Sequence, residues 1–168
     1  MSDVVHEISD VKIKISLLNI VEILAIQLTI IFSLVFQIFL HDKPCALCLL
    51  QRIGFFGIIL GLLMNLRFGL QPKHYTIILL SAFFTSLTSL RQVAINVVPD
   101  GGYGTSLFGL HMYTWAFFVS TIFLIVTALI LGINRQFYSP LLKWRSHWST
   151  HVLMATTTII FVTNLFLL

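Results

Sequence analysis

Apolar stretches long enough to cross a bilayer, separated by short polar breaks, set the plan of this chain. A helix rising 1.5 Å per residue needs about 20 largely apolar residues to span the hydrocarbon. Residues 17–40 meet that requirement while carrying Glu22, Gln27 and Gln37. A very short turn, 41–44, leads to a second span at 46–66, and a polar link, 67–74, precedes a third at 75–98. Pro99-Asp100-Gly101-Gly102-Tyr103-Gly104 is a loop signal, and the fourth span covers 110–131. Residues 135–148 are basic, carry Trp144 and Trp148, and read as interfacial. The closing run, 152–168, is short for a span and rich in Thr. It reads either as a fifth transmembrane helix or as a helix lying in the interface, with the span the better fit. The pattern predicts an all-α integral membrane bundle of four helices plus this C-terminal one, a single membrane domain over 1–168 without internal repeats.

Composition agrees. The chain is 58% hydrophobic and 10% charged, with a mean hydropathy of +0.98. A soluble domain carries about 25% charged residues, so a large soluble core is excluded. The net charge of +4 is scattered and comes without a basic or aromatic surface module, which argues against nucleic acid as a partner. The positives orient the chain instead. Lys12, Lys14, Arg67, Lys73, Arg135, Lys143 and Arg145 fall on one side of the predicted spans; the other side has Lys43, offset by Asp42. The N-terminus is therefore expected in the cytoplasm, with the 41–48 turn and the 99–109 loop outside. Residues 1–10 are acidic and no small-residue cleavage site follows, so the first helix is expected to remain in place.

Against that background Cys45-Ala46-Leu47-Cys48 stands out as the one cysteine pair. Two thiols at this spacing, at the outward start of an apolar helix, can alternate between dithiol and disulfide. Cys45 is the more exposed partner. Cys48 lies in the first turn, where free backbone N–H groups and the helix dipole favour a thiolate. A structural disulfide would close too short a loop to add much stability. Arg52 is expected roughly 10 Å inward from the start of its helix, and Arg91 lies at a similar depth before the end of the third. Snorkelling to the headgroups would explain either arginine. Together below the cysteines they would also form an anion-friendly pocket, with Gln51 and Gln92 as further hydrogen-bonding groups. A Cys/His metal site using His41 and His111 competes with this reading, although a buried arginine opposes a cation. His147 and His151 sit among tryptophans and read as interfacial anchors; Gly54, Gly57 and Gly61 read as a close-packing face.

The run Pro44-Cys45-Ala46-Leu47-Cys48-Leu49-Leu50-Gln51-Arg52-Ile53 resembles the signature of the DsbB family of bacterial inner-membrane disulfide-forming proteins. Gly102-Tyr103-Gly104, Gly109-Leu110-His111-Met112-Tyr113-Thr114-Trp115-Ala116 and Arg91-Gln92 add to the likeness, which extends over residues 17–133. The resemblance implies a four-helix core that reoxidises a periplasmic thioredoxin-like dithiol partner of the DsbA type and passes the electrons to ubiquinone or menaquinone. It implies Cys48 as the quinone-proximal cysteine, Cys45 as its exchange partner and Arg52 as the quinone-site arginine. The best-studied branch carries a second cysteine pair in its second external loop; this chain, with two cysteines in all, does not. An external metal-binding or transport protein and a non-catalytic membrane subunit are the alternative readings.

Overall fold

The computed structural model describes residues 2–39, 45–96, 106–107, 109–132 and 147–166, with side chains described at 13–39, 45–96, 109–132 and 148–166. Five helices, α1 (Ser2–Phe39), α2 (Ala46–Phe68), α3 (Pro72–Asn96), α4 (Met112–Gly132) and α5 (His147–Phe166), carry the fold, and all five are long and apolar enough to cross a bilayer. The expected turn with His41 and Pro44, the 99–104 loop and the interfacial residues Arg135, Lys143, Trp144 and Arg145 lie outside the described residues. Three helices begin earlier than their apolar runs, α1 at Ser2 among them. α3 starts at Pro72, whose fixed φ and missing N–H suit a first helical position, and α5 starts at His147.

One all-β detail interrupts the helices. β1 (Ser106–Leu107) pairs antiparallel with β2 (Leu110–His111), Leu107 opposite Leu110, and Gly109 supplies the positive φ (78°) that so tight a turn requires.

α2 is the axis of the bundle, packed most heavily on α3 and also against α1, α5 and α4. Its contact with α3 depends on the predicted glycine face. A Cβ on Gly54 would collide with the Thr85 side chain, one on Gly57 with Ser81, and one on Gly61 with Ile78. At the far end from the cysteines the two helices are also joined by Asn65 Oδ1 and His74 Nδ1 at 3.1 Å. Ile23, Ile26, Ile30, Ile58, Ile59, Leu62 and Ile78 fill the core, whereas Leu28, Leu80 and Leu129 face outward. That outward apolar coat is what a lipid environment requires.

α5 runs parallel to α1. Gln27 donates to Thr157 Oγ1 at 2.7 Å and to Thr156 Oγ1 at 3.1 Å. Six residues further along α1, Ser33 shares the Arg52 guanidinium with Asn164, seven residues beyond Thr157. The closing apolar run is thus a fifth helix packed lengthwise into the crevice between α1 and α2, and of the two sequence expectations the spanning one fits. Trp148, 82% exposed, stands at its start as an interfacial tryptophan would.

Gly61→Val should force α2 and α3 apart and lower stability by about 1–3 kcal/mol, the usual cost of overpacking. Thermal unfolding of the detergent-solubilised protein would measure it, with a drop in midpoint relative to Leu60→Val, which faces outward, as the expected result.

Candidate functional site

Cys45 is the N-cap of α2, with extended backbone (φ −82°, ψ 134°), and its carbonyl accepts the Leu49 N–H at 3.1 Å. Cys48 therefore occupies the third helical position, where backbone N–H groups have no intrahelical acceptor. Both thiols are free and half-buried.

α3 meets them with an amide. Gln92, 1% exposed, donates through Nε2 to Cys48 Sγ at 3.4 Å and to Cys45 Sγ at 3.7 Å. Its Oε1 accepts from Gln51 Nε2 at 2.8 Å. That oxygen also accepts from the Cys48 thiol at 3.8 Å, so both ends of the amide meet Cys48. The glycine face of α2 allows this reach, because it draws the α3 backbone close. The sequence suggests Gln51 and Gln92 as further hydrogen-bonding groups of an anion-friendly pocket; in the structure Gln92 touches the thiols themselves, and Gln51 donates to it and lines the cavity.

Arg52 lies one turn below Cys48, 7% exposed. Nη1 donates to Asn164 Oδ1 at 3.1 Å, and Nη2 donates to Ser33 Oγ at 3.0 Å and to the Ser33 carbonyl at 3.4 Å. Nε is buried and finds no acceptor. All these acceptors are neutral. Cys48, Gln51 and Arg52 share the wall of one cavity with Thr29 and Ser33 of α1 and Met112, Tyr113 and Trp115 of α4. Its volume is about 70 Å³, room for about two waters at some 30 Å³ each. α1 and α4 barely touch, so the cavity lies under the seam between them.

Arg91 departs from the expectation of a shared pocket. The buried stripe of α3 runs through Thr85, Ser89 and Gln92, and Arg91, one residue from Gln92 and about 100° around the helix, is exposed and outside the cavity wall. Arg91 thus lies off the wall that Cys48 and Arg52 share, because equal depth does not imply the same face. His111 stacks on Tyr113 (centroids 5.2 Å apart, planes at 9°) beside the site. His41 lies outside the described residues, as does the His147 side chain. Sequence reading missed Ser33 and Asn164; the available signal was a polar side chain inside each apolar run.

A bundle of long apolar helices, with paired thiols at a helix start and amide and guanidinium donors around them, defines a multi-span membrane protein equipped for thiol redox chemistry. The family model described as "Disulfide bond formation protein DsbB" matches residues 16–102. That is more than half of the chain, and the protein belongs to the DsbB family. The match covers most of α1 and all of α2 and α3, and stops short of the β-hairpin, α4 and α5. No curated protein and no solved structure matches the chain significantly.

A hydrogen bond to a charged group is worth about 1.5–3 kcal/mol. Gln92→Leu should therefore slow alkylation of Cys48 at neutral pH by about tenfold or more, with Gln51→Leu giving a smaller effect of the same sign. Iodoacetamide labelling in a Cys45→Ala background measures both.

Proposed function

We propose that this protein is a membrane thiol:quinone oxidoreductase. It oxidises a periplasmic thioredoxin-like dithiol partner of the DsbA type through Cys45 and Cys48 and delivers the electrons to ubiquinone or menaquinone. The setting is the bacterial inner membrane, with the N-terminus cytoplasmic and the cysteines on the outer face. The observation that carries this reading is the meeting of both thiols with the Gln92 amide, above a buried Arg52 whose Nε lacks an acceptor. An unsatisfied buried donor costs about 1–3 kcal/mol, and the guanidinium that carries it lines the cavity wall, where it favours a ligand oxygen. The donor set thus fits a quinone. The cavity volume takes a ring only when a wall side chain yields, and flexible Met112 is the one suited to do so.

In the oxidised state a partner thiolate attacks Cys45 Sγ. The Cys45–Cys48 bond breaks and Cys48 leaves as thiolate, stabilised by the α2 N-terminus and the Gln92 amide. The partner's second thiolate then attacks its own sulfur in the mixed disulfide. Cys45 departs with the electron pair and the partner leaves oxidised. A quinone supplies the sink that accepts two electrons and two protons as the pair returns to the disulfide. Arg52 favours negative charge at the cavity wall, and fixed charges of this kind outperform solvent because they need no reorganisation. Gln51 holds Gln92 in line throughout. Arg91, exposed on α3 and absent from the cavity wall, stands apart from the ring in this reading.

The test is anaerobic quinone reduction by the purified, metal-stripped protein supplied with a reduced thioredoxin-like dithiol. Cys45→Ala and Cys48→Ala should abolish turnover, and Arg52→Ala should lower it about 100-fold, the scale of losing one preorganised donor. Turnover that survives loss of either cysteine would refute the reading.

Met112→Trp should fill the cavity. The expected result is a KM for quinone raised about tenfold or more, the effect of about 1.4 kcal/mol, while exchange between the partner and Cys45 proceeds at the wild-type rate.

A further inference from the structure

We infer that α5 is a working part of the thiol site, and that Asn164 is a positioning residue that fixes Arg52 while leaving its charge uncompensated beside Cys48. The inference rests on the reading of Arg52 as the site's cation and extends it to a helix outside the family match, which ends at residue 102.

α5 is secured to the bundle without Asn164. Gln27 binds Thr156 and Thr157, and Phe56 packs edge-on against Phe161 with ring centroids 5.1 Å apart. Helix docking alone therefore does not require a polar side chain at position 164. Yet Asn164, at a helix end whose other polar side chain, Thr163, bonds back to the Ile159 carbonyl, is 6% exposed and its Oδ1 takes Nη1 of Arg52. Ser33 takes Nη2 from the other side. A planar guanidinium gripped at both terminal nitrogens has one orientation, and its remaining buried donor, Nε, is left unpaired.

The choice of acceptor matters as much as its place. A carboxylate at 164 would hold the arginine more tightly and cancel its charge. An amide oxygen supplies the same fork contact with no net charge. Glu22 is the one carboxylate among the described side chains. It sits eleven residues before Ser33 on α1, about 16 Å along the helix axis. Among the described residues, then, Arg52 keeps a full positive charge one turn from Cys48, and the neutrality of Asn164 and Ser33 is what preserves it.

The test uses the full chain in a Cys45→Ala background, so that Cys48 is the thiol followed. Iodoacetamide alkylation is measured across pH for the parent, Asn164→Asp, Asn164→Gln and Arg52→Gln. Asn164→Asp, nearly isosteric, should slow alkylation about tenfold at every pH below the plateau and leave the plateau rate unchanged. This is the signature of a lost electrostatic contribution of about 1.4 kcal/mol. Asn164→Gln keeps a neutral acceptor and should follow the parent. A merely structural role for Asn164 would move both variants alike, plateau included, and overturn the inference. Should Asn164→Asp fail to assemble, Ser33→Asp places a carboxylate on the same guanidinium from α1 and must give the same displacement. If Arg52→Gln displaces the profile while Asn164→Asp and Ser33→Asp superimpose on the parent, the Asn164 inference falls and the cation reading stands. If Arg52→Gln also superimposes, both fall.

Discussion

A guanidinium inside a membrane span has to be solvated by the protein, because hydrocarbon offers it nothing. Arg52 imposes that condition on this fold. Its terminal nitrogens draw Ser33 of α1 and Asn164 of α5 to one level of the bundle, so three helices are fixed relative to one another at the depth of the thiols. Replacing either acceptor by a hydrocarbon side chain would leave a buried charge short of a partner. The acceptors are neutral, so the interaction orders the helices without discharging the cation. An ion pair would have bound more firmly and left an electrically silent site.

The other side of α2 is organised by the opposite means. Where Arg52 gathers helices through polar contacts, Gly54, Gly57 and Gly61 admit α3 by the absence of side chains. In lipid, where burial of apolar surface does not itself drive helices together, close backbone approach is the main source of packing energy. That approach has a chemical result. It delivers Gln92 from α3 to both sulfurs, with Nε2 donating to them and Oε1 shared between Gln51 Nε2 and the Cys48 thiol. The thiol environment is thus assembled from a glycine contact on one flank and a buried charge on the other.

The helices were legible because the bilayer imposes a length and a composition that the sequence displays directly. Helix starts were less so: Lys73 and His74 look like a polar link, yet Pro72 starts α3 ahead of them, and His74 is buried against Asn65. Cys45, Cys48 and Arg52 could be placed from spacing, since i, i+3 and i+7 stay on one side of a short helix segment. Arg91 could not, since depth along a helix says nothing about azimuth unless the buried stripe is known, and α3 carries Thr and Ser on both its faces. Asn164 showed only as a polar side chain in an apolar run, and its pairing was illegible for a different reason. Its partner is 112 residues away, and no local pattern reports a contact made by docking a fifth helix. The hairpin at Ser106–His111 was masked by its glycine-rich lead-in, which reads as plain loop.

In the proposed reaction, with two cysteines in the chain, one disulfide both accepts electrons from a dithiol and passes them onward, so the two sulfurs have to be told apart by their surroundings. The structure distinguishes them. Cys48 lines the cavity, takes the shorter contact from Gln92 at 3.4 Å and stands within a turn of Arg52. Cys45 sits at the helix cap, outside the cavity wall, with the longer 3.7 Å contact. A thiolate leaving group is better the more its charge is stabilised, and the sulfur attacked is the one bonded to it. In the proposed mechanism both criteria favour Cys45 as the sulfur open to exchange and Cys48 as the one that leaves. In relatives with a second pair, that division of labour can be spread over four sulfurs. Here the proposed division rests on one amide and one arginine whose acceptors, among the described residues, are neutral, which is why the neutrality of those groups bears on the chemistry as well as on the fold.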